Sequence, residues 1–322
     1  MLKIENISVG ILSDGTAMPI VRDVSLSIAQ GEALGVVGES GSGKSLTAQS
    51  VARMYQSPLT ILGGRVELDG IDLTKLSERE LHALRGKAVS YVFQDPLNAL
   101  NPTRTIGQHL LDVIRRHTPE GPREARSRAV EVLRSVGITQ PEERMRAYPH
   151  QLSGGMRQRV LIAMGLVCVP KLLIADEPTT ALDVTVQARI IDLFRDIQRR
   201  GISLLFISHN LDLVLEFCDS VAVMYGGRVV ERGTAEEIGR EARHPYTAAL
   251  MSCIPRIENK TETLKVIPGS PPVGIDKVQG CPFAARCERV QDQCWQEMPP
   301  IERLSETHEL SCWNPIPGGR AN

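Results

Sequence analysis

Apolar positions in the first thirty residues recur at short intervals, at Ile4, Ile7 and Val9 and then at Val21, Val24, Leu26 and Ile28. Alternation with polar sites predicts strands of an antiparallel sheet, leading to a turn at Gln30-Gly31. The unbroken apolar run 33–37 predicts a short buried strand, and a helical stretch opens at Ser45 and runs toward Met54. A strand at 65–68 precedes a turn at Asp69-Gly70. Ser77 with Glu80 three residues on fits a capping box that begins a short helix. Residues 88–93 read as another buried strand. From 105 to 137 the period is helical, interrupted by Pro119, Gly121 and Pro122, which predicts a mostly helical insert between two parts of one sheet. A helix from about Met156, a strand at 172–175, a helix at 186–200 and a strand at 203–207 follow. A last strand pair, 220–224 and 228–231, is joined by Gly226-Gly227, which suits a hairpin turn. Buried strands alternating with amphipathic helices predict an α/β core with parallel strands.

Beyond about Arg243 the texture changes to a loop-rich segment punctuated by Pro245, Pro255, Pro268, Pro271 and Pro272, with four cysteines clustered in it. The chain has 322 residues, enough for one large domain and a small appendage. A formal net charge of -1 gives no field that would favour nucleic acid, and 4% aromatic residues leave few base-stacking platforms. The start, Met1-Leu2-Lys3-Ile4-Glu5-Asn6, lacks the basic-then-apolar layout of a secretory signal. The longest apolar stretch, 160–170, is too short to span a bilayer. The expectation is a soluble cytoplasmic protein whose membrane role, if any, comes through a partner. Seven cysteines in that compartment favour thiols or metal ligands over disulfides.

The chemistry concentrates at three places. Gly38-Glu39-Ser40-Gly41-Ser42-Gly43-Lys44-Ser45 fits G-x-x-x-x-G-K-[ST], whose glycines let backbone N–H groups wrap phosphate oxygens. Lys44 supplies a point charge to the β- and γ-phosphates, the Ser45 hydroxyl suits Mg²⁺, and the helix N-terminus adds partial positive charge. These residues predict a nucleoside triphosphate site. At 172–177 an apolar strand ends in Asp176-Glu177, a candidate Mg²⁺ ligand followed by a candidate base for the water that attacks the γ-phosphate. Leu152-Ser153-Gly154-Gly155 then opens a helix and offers a second anion site. One nucleotide does not need two such sites in one chain; a head-to-tail pair of chains does.

Leu152-Ser153-Gly154-Gly155-Met156-Arg157-Gln158-Arg159 resembles the signature of the ATP-binding cassette (ABC) family, and the resemblance runs over essentially the whole chain. It implies an ABC-type nucleotide-binding domain over 1–242: a mixed sheet with a RecA-like core, an antiparallel β subdomain and a helical subdomain at about 97–165. It also implies roles for further residues. Gln94 matches the Q-loop, which contacts Mg²⁺ or the attacking water and couples to the membrane subunit. Ala181-Leu182-Asp183 matches the D-loop at the dimer interface, and His209 the switch histidine at the γ-phosphate. The family's adenine-stacking aromatic is missing, since Val9-Gly10-Ile11-Leu12 is aliphatic.

The tail narrows the resemblance. His244-Pro245-Tyr246-Thr247, Ile267-Pro268-Gly269-Ser270-Pro271-Pro272 and Cys281-Pro282-Phe283 resemble the C-terminal extension, here 243–322, of dipeptide/oligopeptide importer ATPases. That likeness implies ATP and Mg²⁺, a second ATPase subunit in a head-to-tail dimer, two transmembrane permease subunits and an extracytoplasmic substrate-binding protein, with no nucleic acid. It places the chain peripherally on the cytoplasmic face of the inner membrane. Cargo is open: dipeptides or oligopeptides come first, with nickel complexes, glutathione and sugars as alternatives. Cys281, Cys287, Cys294 and Cys312 are spaced x5, x6 and x17, unlike ordinary zinc ribbons. The likeness implies a [4Fe–4S] cluster on these four, with zinc, His308 replacing one thiolate, as the alternative. Cys168, Cys218 and Cys253 read as small core residues. A soluble ABC protein acting on nucleic acid and a P-loop phosphotransferase are the rival classes; the first usually has two cassettes or a coiled-coil insert, and the second has no use for the signature.

Overall fold

The computed structural model describes residues 1–13, 15–180, 182–254, 266–271 and 279–318; Ala181, Pro255 and Pro272 lie outside them. The chain divides into two compact units, one formed by Met1–Ile28, Ala33–Thr74 and Phe206–Asn322, the other by Ala29–Glu32 and Lys75–Leu205.

In the first unit β1 (Leu2–Ser13) and β2 (Thr16–Ile28) pair antiparallel. Their apolar pattern skips from Ile4 to Ile7 and from Val21 to Val24, three residues where strict alternation needs two. Each skip is taken up by a left-handed residue, Asn6 (φ 47°) and Asp23 (φ 49°), and the register shifts there. Asn and Asp tolerate that conformation best among non-glycine residues, so the bulges return Ile7 and Val24 to the buried face. The buried strand β3 (Ala33–Val37) and helix α1 (Lys44–Val51) follow, then β4 (Leu59–Leu68) and β5 (Ile71–Asp72), which complete a four-stranded sheet in the order β2-β1-β4-β5.

The second unit carries the helical insert. Helix α2 (Glu78–Leu84) starts with the expected Ser77–Glu80 capping box, and β6 (Val89–Val92) follows. Short α3 (Pro96–Ala99) leads to α4 (Ile106–His117), α5 (Pro122–Ser135) and α6 (Pro141–Arg144). Thr105 and Gln108 form a second capping box, and Pro122 at the first turn of α5 fixes the break between helices. Helix α7 (Gly154–Leu166), strand β7 (Leu172–Asp176) and helix α8 (Val184–Arg199) complete it. Strands β6 and β7 pair parallel with Val92 beside Ala175, and every residue of β7 is buried.

The chain returns to the first unit through β8 (Ser203–Ser208), followed by α9 (Leu211–Phe217) and the hairpin β9 (Ser220–Tyr225) and β10 (Arg228–Thr234), turning at Gly226-Gly227 as expected. Strand β9 pairs parallel to β3. The tail adds α10 (Ala235–Glu241), α11 (Pro245–Ser252), α12 (Asp292–Gln296), β11 (Glu302–Arg303) and β12 (Glu309–Leu310). It is held by a buried carboxylate: Glu231 accepts from the backbone N–H groups of Arg243 (2.7 Å) and His244 (3.1 Å) and lies 2.9 Å from His308 Nε2. Among the described residues no helix is long and apolar enough to cross a membrane. Cys218 is buried in the core, whereas Cys168 and Cys253 are half-exposed.

Candidate nucleotide-binding site

In the first unit, β3 delivers the loop 38–45 and α1 leaves it. Lys44 is buried, its ammonium donating to the carbonyls of Gly38 (2.8 Å) and Glu39 (2.9 Å). The loop is tied to the β9–β10 turn, because Gly227 N–H donates to Ser42 O (3.1 Å) and Arg22 N–H to Gly227 O (2.8 Å). Gly38 is required by close approach: a Cβ there would lie 2.2 Å from Met224 O. Ser42 Oγ is buried and has no hydrogen-bond partner among the described residues. Helix α1 also starts without a side-chain cap, at Gly43, whereas Ser153, Asp183, Asn210 and Thr234 cap α7 to α10 with side-chain oxygens. An uncapped helix start with a spare hydroxyl beside it is the arrangement an anion completes. Ser40 and Gly41 lie at the exposed crest of the same loop, and half-buried Ser45 sits in the first turn of α1. His209 is exposed at the end of β8, next to Asn210, which caps α9.

The tail reaches this loop. Arg286, 6% exposed at its side chain, makes a two-pronged salt bridge to Glu39 at 2.7 and 3.0 Å. Glu39 N–H donates to the Tyr246 hydroxyl at 2.9 Å, and Phe283 packs against both Tyr225 and Tyr246, whose rings also meet each other. Nothing in the local sequence announced these braces, since Arg286 and Glu39 are 247 positions apart.

In the second unit, buried Asp176 ends β7 and accepts from the Tyr91 hydroxyl at 2.7 Å. The parallel register that sets Tyr91 beside Ile174 makes this reach possible. Glu177 follows in the left-handed region (φ 45°), a costly conformation for Glu that turns its side chain out of strand alternation. Gln94 Nε2 and Thr180 Oγ1 both donate to Glu177 Oε2, each at 2.9 Å. The structure thus joins Gln94 to Glu177, and adds Tyr91 and Thr180, which the sequence reading did not name.

The Ser-Gly-Gly element is built differently. Leu152 is buried, and Ser153 Oγ caps α7 by accepting from Met156 N–H at 3.3 Å. Gly155 lies so close to α8 that a Cβ would sit 2.7 Å from Val186 Cγ1. Asp183 caps α8 through Val186 N–H at 2.9 Å. Ser153 and Gly154 are exposed, and Val184 is 82% exposed at the start of α8.

Two family models match the chain: one described as ABC transporter, over residues 21–180, and one described as the oligopeptide/dipeptide transporter C-terminal region, over 230–294. The chain is 43% identical over 317 residues to the dipeptide transport ATP-binding protein DppD of Bacillus subtilis (strain 168), covering 97% of this chain and 94% of that protein. This chain belongs to the ABC transporter ATP-binding family. A further relative is the oligopeptide transport ATP-binding protein OppD of the same organism, 42% identical over 316 residues, covering 97% of this chain and 88% of that protein. Among solved structures, the dimeric ATP-binding cassette MJ0796, in a post-hydrolysis state bound to ADP and Pi, is similar. It has 26% sequence identity and a TM-score of 0.65, covering 73% of this chain and 99% of that one. The fold expected from the sequence, an ABC cassette, holds.

The expected metal or cluster site gains no support from the described residues. Among the described residues no group of three or more His, Cys, Asp or Glu side chains is placed to hold one. His308, the alternative ligand, is committed to Glu231. Cys281, Cys287, Cys294 and Cys312 are nevertheless neighbours. Burial, with smaller contributions from the other three sulfurs, pushes the Cys281 thiol up to about 12, and burial likewise raises Cys312 to about 11 and Cys287 upward.

Proposed function

We propose that this ABC chain hydrolyses ATP to power import of dipeptides or short oligopeptides across the cytoplasmic membrane. The observation that carries this reading is the likeness to peptide-transport ATP-binding proteins over 97% of the chain, tail included. Its partners are a second ATPase chain, two permease subunits and an extracytoplasmic binding protein, and its place is the membrane's cytoplasmic face. Residues 38–45 hold the triphosphate, Lys44 its β- and γ-oxygens. Ser45, Asp176 and Gln94 serve Mg²⁺, Glu177 is the general base, and His209 senses the γ-phosphate. Leu152, Ser153, Gly154, Gly155 and Asp183 act on the partner chain's nucleotide, a reading that the exposure of Ser153, Gly154 and Asp183 supports. In this reading 1–242 is the nucleotide-binding domain, 97–165 its helical part and 243–322 the importer-type extension. The test is reconstitution with permeases and binding protein in vesicles. ATP-dependent dipeptide uptake, lost with Lys44→Ala, is the expected result; hydrolysis indifferent to peptide, with no uptake, overturns it.

The four tail thiols suit a [4Fe–4S] cluster. Zinc on the same thiolates is the alternative. Four soft thiolates in one Pro-rich, loop-rich segment suit a four-iron core. Bound there, such a group would staple a loop-rich segment. Iron and sulfide analysis of anaerobically purified protein decides it, stoichiometric zinc without iron being the contrary result.

A further inference from the structure

The tail does more than extend the chain, because one of its side chains ends on the nucleotide loop. Arg286 closes a short helical turn, 284–286, immediately before Cys287. Its guanidinium spends its donors on five acceptor atoms of four residues within the first unit. It forms the fork on Glu39 (2.7 and 3.0 Å) and donates to the Tyr225 hydroxyl (3.0 Å), Pro268 O (2.8 Å) and Ile267 O (3.2 Å). A planar fork locked on a carboxylate fixes direction as well as distance, which an ammonium cannot do.

Every polar group of Glu39 is engaged. Its carboxylate meets Arg286, its N–H donates to Tyr246 and its carbonyl accepts from Lys44 Nζ at 2.9 Å. Glu39 is therefore the joint through which tail residues set where the Lys44 ammonium rests. The Tyr246 ring is itself wedged by Phe283, three residues before Arg286. If Glu39 drifts, the carbonyl that holds Lys44 drifts with it.

We propose that Arg286 is a positioning residue for nucleotide binding: through Glu39 it holds the phosphate loop and Lys44 in the binding-ready arrangement. The inference rests on the reading of residues 38–45 as the ATP site. It makes the tail a working part of the nucleotide pocket and gives Glu39, a variable position of the G-x-x-x-x-G-K-[ST] pattern, a defined task.

The experiment is equilibrium titration of the purified full-length chain with a fluorescent ATP analogue, well below the unfolding temperature. Arg286→Ala should raise Kd about tenfold, the worth of a charge-assisted fork. Glu39→Gln should raise it in the same direction, and the double variant should be no weaker than the worse single one. Arg286→Lys, which keeps the charge without the fork, should fall between. Wild-type affinity in Arg286→Ala, or losses that multiply in the double variant, overturns the proposal. Should Arg286→Ala fail to fold, Glu39→Gln leaves every tail residue in place, and an unchanged Kd there overturns it equally. Lys44→Ala separates the two readings. If it loses affinity while Arg286→Ala does not, only the positioning role falls; if it binds as tightly as wild type, the ATP site falls and the positioning role with it.

Discussion

The two elements proposed to bind phosphate are finished to different degrees. Residues 38–45 are fastened by the β9–β10 turn, by Tyr246 and by Arg286, and Lys44 is buried among carbonyls. Residues 152–155 are anchored from behind, through buried Leu152 and the close approach of Gly155 to Val186, while Ser153 and Gly154 are exposed. The first is a site that binding can use as it stands. The second has the look of half a site, its capping serine and exposed glycine presented to a neighbouring molecule. In the proposed function, a chain built this way binds nucleotide alone and turns it over well only in company.

The sharpest way to break that contrast is Glu177→Gln. Turnover in the assembled transporter should fall by about 10²–10⁴, with ATP binding retained, because a carboxamide cannot take the proton from water. Phosphate release near the wild-type rate would remove Glu177 from that role. Ser153→Ala comes next. It deletes the cap of α7, costing about 1 kcal/mol of stability, and should lower assembled turnover about tenfold while the single chain keeps its ATP affinity within about twofold. An equal loss in both measurements would show that the element serves its own chain.

The last test concerns the tail and leaves turnover aside. His244 is buried, its Nδ1 accepts from Tyr246 N–H, and burial lowers its pKa to about 4 despite the opposing charge of Glu231. Because the folded value lies below the unfolded value of about 6.5, the neutral ring's contribution is fully present above pH 6.5. It is lost as pH falls from there to about 4, by up to about 3 kcal/mol on the order of one proton over that span. Thermal melts from pH 7 to 4 should show the decline, and His244→Gln should flatten it.

Much of this was legible along the chain. The glycine-rich loop, the Ser77 capping box and the Gly226-Gly227 turn are local patterns, and local backbone chemistry decides them. Even the bulges in β1 and β2 were encoded in the three-residue gaps at Ile4–Ile7 and Val21–Val24, though alternation alone did not reveal their left-handed Asn6 and Asp23. What sequence could not supply were partners fixed by topology. Tyr91 meets Asp176 only because β6 and β7 run parallel in one register, and Arg286 meets Glu39 only because the tail folds back on its own unit. The cysteines illustrate both sides: their clustering in the tail raised a shared metal or cluster, whereas among the described residues no group of three or more His, Cys, Asp or Glu side chains is placed to hold a metal ion.

The pairing of β12 with β10 carries a practical lesson. Strand β10 would otherwise leave a row of unpaired N–H and C=O groups at the rim of its sheet, and Glu309-Leu310 covers part of it. Trimming the protein back to the cassette shared with its distant cousins would uncover a sticky rim, and such a shortened product should clump on purification where the full-length one stays dispersed.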